Sequence, residues 1–244
     1  MFPGVGTIIN VATIIGGASI GVLVGNRMSG KTRVLLTDVL GLVVLLGAAS
    51  ALIPMWSLRY TSAFPQGWSL LVVLGSLIIG GLIGSALALE DKLDAFGENL
   101  RKRFKASAES PFVEGFVTAA LLFAIGPLAI LGSISDGMST GIEQLLLKST
   151  LDFFAAIAFA SSLGWGVAVS ALPVAIYQGL WTVIGLFLGQ ILSPYQVDAM
   201  TVVGGVMLVT IGLKLLHIKN VAVGNLLPAL ACAPLFAYVV HSFL

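Results

Sequence analysis

The stretch Ile20-Gly21-Val22-Leu23-Val24-Gly25 ends a long apolar segment with two glycines four residues apart. On a helix, that spacing places both glycines on one face, where the backbone of a second helix can approach closely. Two more copies follow at Ile79-Gly80-Gly81-Leu82-Ile83-Gly84 and Ile184-Gly185-Leu186-Phe187-Leu188-Gly189. We therefore predict a packed bundle of membrane helices with close helix contacts at Gly21, Gly25, Gly80, Gly84, Gly185 and Gly189.

The composition indicates that most of the chain faces lipid. Of the 244 residues, 58% are hydrophobic and 9% are charged, and the mean hydropathy is +1.06. A soluble globular protein carries about 25% charged residues, so this chain has too few polar groups to cover a water-exposed surface. The apolar blocks are long and unbroken, whereas membrane β-barrels show short alternating segments. The fold class is therefore all-α. The net charge of +1 gives no reason to expect a nucleic-acid partner.

Eight apolar segments are long enough to cross a bilayer. We predict spans at residues 5–25, 34–55, 68–89, 112–132, 150–171, 173–192, 197–216 and 221–242. The region between the fourth and fifth spans is rich in Gly and Ser, and the count falls to seven if one span is re-entrant. We treat residues 1–244 as a single integral membrane domain.

The basic residues indicate how the spans are oriented. With eight spans, all but two of the 12 Lys and Arg residues lie on one side, the exceptions being Arg59 and Lys148. Cytoplasmic loops are enriched in Lys and Arg, so we predict that both termini lie outside the cytoplasm. Residues 90–105 place Leu and Phe at helical spacing with charges opposite, which predicts an amphipathic helix on the cytoplasmic membrane surface.

The first two spans resemble the sixth and seventh. The matched residues are Gly21 with Gly185, Gly25 with Gly189, Ser29 with Ser193, Gly41 with Gly205, and Leu45 with Val209. Because an offset of five spans reverses the direction of a helix, the similarity predicts an inverted repeat. Inverted repeats recur in transporters, whose binding sites lie near the membrane midplane between the repeats.

The polar exceptions to these spans lie in the middle of the chain. Pro127 removes a backbone donor and, together with Gly126, predicts a broken helix near residues 126–137. Non-helical backbone at membrane depth is tolerated only inside protein or along a wet cavity. The oxygen atoms of Ser133, Ser135 and Asp136 suit a small cation or a proton. An ordinary turn on the outer surface is the alternative for Asp136.

Further polar residues occur in the first, fifth and sixth spans. Asp152 follows Lys148 by four residues, so the two can pair along one helix. An ionisable residue in a membrane helix usually faces a cavity or the bundle interior. A carboxylate favoured by the helix dipole is the alternative for Asp152. Asn10, Tyr177 and Gln178 complete the predicted pathway, although hydrogen bonding between helices explains these residues equally well.

The sequence contains no hydrolase, kinase or redox motif, so we expect no enzymatic activity and no cofactor. His217 and His241 both lie near span ends and do not match the spacing of metal ligands, so we expect no metal site. A Gly-rich phosphate loop followed by Lys is also missing, which argues against ATP coupling within this chain.

The stretch Ile125-Gly126-Pro127-Leu128-Ala129-Ile130-Leu131-Gly132-Ser133-Ile134-Ser135-Asp136-Gly137 resembles a family of bacterial inner-membrane proteins of the YdfK/YqgA type, filed as a domain of unknown function. Similar to that family are also Gly6-Thr7-Ile8-Ile9-Asn10, Leu147-Lys148-Ser149 with Asp152, Phe159-Ala160-Ser161 with Leu163-Gly164, and Pro173 with Tyr177-Gln178-Gly179. The resemblance implies a multi-pass protein of the bacterial cytoplasmic membrane, often guessed to be a transporter, without an established substrate.

Together these features predict a transporter of a small solute or ion that works by alternating access between inverted repeats. Asp136 and Asp152 would bind a cation or a proton. The expected partners are the lipid bilayer and the transported solute or ion. An ion channel with the same lining, and a scaffold or sensor component of a membrane complex, are the alternatives. A homo-oligomer also stays open, because the glycine faces could join two chains.

Overall fold

A computed structural model describes residues 2–107, 110–125, 127–189 and 191–243, and every regular element within them is helical. The α-helices are α1 (Val5–Gly25), α2 (Gly30–Leu52), α3 (Leu58–Thr61), α4 (Trp68–Ala86), α5 (Leu89–Arg103), α6 (Phe112–Ala124), α7 (Pro127–Gly137), α8 (Glu143–Leu163), α9 (Gly166–Val169), α10 (Ala171–Leu188), α11 (Pro194–Leu215) and α12 (Pro228–Phe243). Short 3-10 helices cover Ile53–Trp56 and Val223–Leu226. The predicted all-α class is confirmed.

Seven helical segments among the described residues are long and apolar enough to cross a membrane, and α6 with α7 makes eight if the bent pair is one span. The seven segments are Val5–Gly25, Gly30–Trp56, Trp68–Ala86, Glu143–Leu163, Gly166–Phe187, Pro194–Leu215 and Val223–Phe243. The predicted number of seven or eight is confirmed. The fifth span begins at Glu143, not near residue 150, because Lys148 is paired with Asp152 and is accommodated inside the helix.

The predicted break in the fourth span is also confirmed. Helix α6 ends at Ala124, and Ile125 has an extended backbone with φ −79° and ψ 118°. A proline disfavours helical backbone angles in the residue directly before it. In this chain that residue is Gly126, which lies outside the described residues. Helix α7 begins with Pro127, which suits a first helical position. The α6 and α7 axes differ by 63°.

The chain forms two compact units. Unit 1 comprises Met1–Leu40 and Asp94–Ile191, and unit 2 comprises Gly41–Leu93 and Leu192–Leu244. Helices α2 and α5 are each divided between the units. The single-domain interpretation stays a prediction.

In unit 1, α1 packs along α8 through its glycines. A Cβ at Gly17, Gly21 or Gly25 would overlap the carbonyl oxygen of Phe153, Ile157 or Ser161, respectively. The residue numbers of both helices increase in the same direction along the contact, so α1 and α8 run parallel. A Cβ at Gly185 of α10 would likewise overlap the Ile134 carbonyl of α7. These contacts need the backbone approach that small residues permit.

Gly189 does not make the helix contact that the motif predicts. It caps the C-terminus of α10 with φ 69°, and its missing Cβ would meet no heavy atom within 4 Å. A positive φ favours glycine for a conformational reason rather than for packing. The third copy of the motif therefore combines one close-packed glycine with one helix-ending glycine.

In unit 2, the second glycine pair packs against the start of the last span. A Cβ at Gly80 would overlap the backbone nitrogen of Ala229, and one at Gly84 would overlap the carbonyl oxygen of Asn225. The residue numbers on α4 increase along this contact while those on the last span decrease, so α4 and α12 are antiparallel. At the N-terminus of α5, the Glu90 amide donates to Asn225 Oδ1 over 2.9 Å.

The part of α2 that belongs to unit 2 packs antiparallel against α11. A Cβ at Gly41 would meet the side chains of Leu215 and Leu216, and a Cβ at Gly205 would meet Ala51 and Leu52. Gly41 and Gly205 are residues that the repeat alignment matches, and each faces the other's helix. The contact is compatible with two-fold symmetry, and the inverted repeat itself stays a prediction.

We expect Gly21→Leu to lower the thermal stability of the detergent-purified protein strongly. The new side chain would collide with α8 backbone, and overpacking costs about 1–3 kcal/mol even where side chains can yield. The matched control is Gly16→Leu on the same helix, because a Cβ at Gly16 meets nothing within 4 Å. Unfolding followed by tryptophan fluorescence measures both variants. Equal unfolding temperatures for the two variants would contradict the α1–α8 contact.

Candidate functional site

Buried polar side chains from three helices of unit 1 meet near the beginning of α1. They are Thr7 and Asn10 on α1, Lys148 and Asp152 on α8, and Gln178 and Thr182 on α10, each with at most a few per cent of its surface exposed. Asp136 of α7 joins them through a hydrogen bond to α1. We call these seven residues the polar cluster. The surrounding helices are apolar, so every polar contact within the cluster lies in a low-dielectric environment.

Asp152 is the most highly connected member of the polar cluster. Its Oδ2 accepts from Lys148 Nζ at 2.6 Å and from Asn10 Nδ2 at 3.0 Å. The spacing of four residues places Lys148 one helical turn before Asp152, so α8 itself supplies the ion pair. The amide of Asn10 adds a contact across the α1–α8 interface. Each charge is therefore compensated inside the protein, as burial requires.

Asp136 is held by the first turn of α1. Its Oδ2 accepts from the Gly6 backbone amide at 3.0 Å, and only 2% of the residue is exposed. Amides in the first turn lack an intrahelical acceptor and attract negative charge. A Cβ at Gly6 would lie 2.6 Å from Leu145 Cδ1 and 3.1 Å from Asp136 Oδ2, so glycine permits this approach. Asp136 thus lies within α7, not in an exposed turn.

Helix α10 contributes hydroxyl and amide groups. Thr182 Oγ1 lies 3.4 Å from Thr7 Oγ1, and it donates to the Gln178 carbonyl at 3.0 Å. The Gln178 side chain is fully buried one turn before Thr182. The polar cluster therefore reaches from α8 across α1 to α10.

In the polar cluster and beside it, four buried polar atoms have no hydrogen-bond partner among the described residues. They are both amide atoms of Gln178, the Oδ1 atom of Asn10, and the Oγ atom of Ser149 beside Lys148. An unsatisfied buried polar group costs about 1–3 kcal/mol. Groups left open in this way are normally satisfied by water or by a ligand. These atoms give the polar cluster unused capacity to bind a guest.

Asp136 also borders a small pocket at the α7–α8 connection. The pocket has a volume of about 200 Å³ and is lined by Asp136, Ser139, Thr140, Gly141, Ile142 and Glu143. It gives the Asp136 carboxylate a neighbouring, partly open space beside the loop that connects α7 and α8.

The predicted pathway residues fall into two groups. Asn10, Asp136, Asp152 and Gln178 belong to the polar cluster, whereas Ser133 Oγ bonds its own helix at the Ala129 carbonyl. Ser135 is half-buried, and its carbonyl accepts from Thr140. Tyr177 is half-buried, with its ring centroid 6.3 Å from that of Trp181. Pro127 begins α7, and Gly126 lies outside the described residues.

Sequence reasoning did not assign four contributors to the site, namely Gly6, Thr7, Ser149 and Thr182. Thr182 had a usable signal, because it lies one turn after Gln178 on the same helix face. Gly6 offered none, since its contribution is a backbone amide. Among the described residues, no group of three or more His, Cys, Asp or Glu side chains could hold a metal ion.

Comparison with known proteins places these residues in a family context. The family described as "Protein of unknown function (DUF554)" matches residues 5–238. The chain is 29% identical over 238 residues to the "Uncharacterized membrane protein YdfK" of Bacillus subtilis, covering 98% of this chain and 97% of that protein. It is 30% identical over 233 residues to the "Uncharacterized protein YqgA" of Escherichia coli, covering 94% of each. No solved structure shows significant similarity.

We expect Lys148→Met to destabilise the protein by about 3–5 kcal/mol, because it leaves the Asp152 carboxylate buried without its cation. The double variant Lys148→Met, Asp152→Asn should recover most of that loss, since it removes the uncompensated charge and keeps an acceptor for Asn10. Thermal unfolding in detergent measures both. The exposed Lys102 of α5 provides the control Lys102→Met, which should leave the unfolding temperature nearly unchanged. A double variant no more stable than Lys148→Met would refute the buried ion pair.

Proposed function

The chain belongs to the DUF554 family and is a multi-pass membrane protein, and from that premise we propose that it transports a small solute or ion through the polar cluster of unit 1. The proposal contains no catalytic step. It concerns a carrier, in which alternating access exposes the cluster to one side of the membrane at a time.

The four unpartnered polar atoms are the observation that carries the proposal. A purely structural cluster would gain stability by pairing its donors and acceptors or by replacing them with apolar groups. Gln178 is fully buried and uses neither amide atom. Retaining such a side chain is understandable if a transported species completes its hydrogen bonds. A buried ionisable pair in a membrane helix supports the same interpretation.

The charges of the polar cluster favour a cation or a proton. Two carboxylates, Asp136 and Asp152, oppose a single ammonium group, Lys148, so the fully ionised cluster has an excess of negative charge. In a low-dielectric interior, such an excess attracts a positive guest strongly. The free acceptors at Asn10 Oδ1 and Gln178 Oε1 are also of the oxygen type that hard cations prefer.

Two structural features support alternating access. The break between α6 and α7 lies next to the helix that carries Asp136, and broken helices border the sites of known transporters. The α2–α11 contact of unit 2, with Gly41 and Gly205 in corresponding positions, is what an inverted repeat would produce. Both features belong to the architecture that allows one half of a carrier to move against the other.

The direction of the helices supports eight spans. Helices α1 and α8 are parallel, and α2 and α4 are the two full-length spans between them. Two parallel spans must be separated by an odd number of crossings, so we propose that α6 and α7 together cross the membrane once. The distribution of Lys and Arg supports a topology of this kind with both termini outside the cytoplasm.

The topology predicts the behaviour of a C-terminal reporter. Alkaline phosphatase fused after Leu244 should be enzymatically active in an Escherichia coli host, because it folds only on the periplasmic side. A green fluorescent protein fusion at the same position should stay dark. A bright fluorescent fusion with an inactive phosphatase would contradict eight spans in this orientation.

Transport is tested in proteoliposomes that contain the pH-sensitive dye pyranine. We expect an imposed Na⁺ or K⁺ gradient to drive proton movement, or labelled Na⁺ or Rb⁺ to be taken up, only with protein present. Asp152→Asn should abolish the flux, because it removes a charge that binds the guest, and so should the double variant Lys148→Met, Asp152→Asn, which leaves no unpaired buried charge at either position. The control Asp94→Asn changes an exposed acid of α5 and should transport normally.

Gln178→Leu separates transport from folding. Replacing the unpartnered amide by an apolar group should leave stability equal or raise it by about 1–3 kcal/mol, while flux falls. Normal flux in Gln178→Leu and in Asp152→Asn would overturn the assignment of the pathway. Unitary currents in planar bilayers, without counterflow of labelled ion, would identify a channel instead of a carrier.

A further inference from the structure

An open apolar groove on unit 1 is separate from the polar cluster. Its volume is about 1040 Å³, and it runs between α1, the C-terminal end of α5 and the α9–α10 region. The lining is formed by Val11, Ile15, Leu100, Arg103, Phe104, Lys105, Ala106, Phe112, Trp165, Ala168, Val169, Ala171, Leu172 and Ala175. We propose that this groove binds one acyl chain of an anionic phospholipid, whose phosphate is held by Arg103 and Lys105.

The two basic residues of the groove lining lie two residues apart at the C-terminal end of α5. Arg103 is the last residue of α5, and Lys105 follows the helix end by two residues. Both are exposed, and within the described part of the chain neither forms an ion pair. All other lining residues are uncharged. Two cationic side chains beside an apolar groove complement the anionic headgroup and the hydrocarbon tail of a phospholipid.

The backbone at Lys105 has a conformation that is uncommon for a residue other than glycine. Lys105 has φ 53°, in the left-handed region, and its amide donates to the Lys102 carbonyl at the helix end. Glycine is the usual residue at such a position because it has no Cβ.

Along α1, the groove lining lies at the depth of the middle of the membrane. Ile15 lies ten residues before Gly25, the end of α1, which corresponds to about 15 Å along a helix axis. Half of a bilayer's hydrocarbon core is also about 15 Å thick. Trp165, which lines the groove and is half-exposed, is the residue type that anchors a membrane interface. An acyl chain seated with its phosphate near Arg103 would therefore follow the groove to mid-membrane.

The test uses the fluorescence of Trp165. A variant with Trp56, Trp68 and Trp181 changed to Phe is reconstituted in phosphatidylcholine vesicles that contain a small fraction of brominated phosphatidylglycerol. Bromine quenches tryptophan on contact, so occupancy of the groove lowers the signal. We expect brominated phosphatidylglycerol to quench more strongly than the same fraction of brominated phosphatidylcholine. Native mass spectrometry of the unmodified chain checks that the same lipid is retained.

Charge and groove are then tested separately. Arg103→Gln and Lys105→Gln should each weaken the apparent affinity for phosphatidylglycerol about five-fold. The matched control Lys102→Gln removes the same charge from α5 at a residue that does not line the groove, and it should have little effect. Ala175→Phe should block quenching with all charges intact, while its unfolding temperature confirms folding.

Equal quenching by the two brominated lipids would overturn the proposal, because the groove would then accept any lipid. An equal loss in Lys102→Gln and Lys105→Gln would also overturn it, because general attraction to the charged surface would explain the result. The proposal does not depend on transport, since none of the lining residues belongs to the polar cluster.

Discussion

Burial of charge in an apolar environment is the constraint that governs unit 1. Lys148 and Asp152 can lie inside a membrane helix only because each compensates the other and because Asn10 completes the contact from α1. Asn10 can reach Asp152 only if the two helices approach closely. The glycines of α1 provide that approach, so the polar contact and the helix packing depend on each other.

One stripe of α1 serves both purposes. Gly6, Asn10, Gly17, Gly21 and Gly25 recur at intervals that keep them on the face toward α8. At one end of the stripe, Gly6 leaves room for Asp136, and the Asn10 side chain reaches Asp152. Further along, the glycines let the α8 backbone approach. In unit 2, the glycines of α4 serve packing alone, because Gly80 and Gly84 meet backbone atoms of Ala229 and Asn225.

Local features of the fold were predictable from sequence. Pro127 predicted the helical break, and the lengths of the apolar segments predicted the number of spans. Both signals act within a short stretch of chain, so they can be read without knowing the tertiary contacts. The motif at Gly185 and Gly189 shows the limit, because identical spacing gives packing at one residue and a helix end at the other. The spacing of the two glycines does not by itself show where the helix stops.

The candidate site was only partly predictable for a related reason. Polar residue types within apolar spans indicated Asn10, Asp136, Asp152 and Gln178. Which of them meet depends on the rotation of each helix about its axis, and hydropathy does not specify rotation. The Gly6 amide and the Thr7–Thr182 contact follow from that rotation. Whether the assembled cluster conducts a solute is a chemical question that residue types alone leave open.

The parallel contact of α1 with α8 has a consequence for biogenesis. Asn10 leaves the ribosome 142 residues before Asp152, an interval of about 7–30 s at typical synthesis rates. During that interval, the glycine stripe and the Asn10 amide of the first span have no α8 to pack against. Early insertion intermediates therefore expose this stripe to lipid or to another membrane protein until α8 is released.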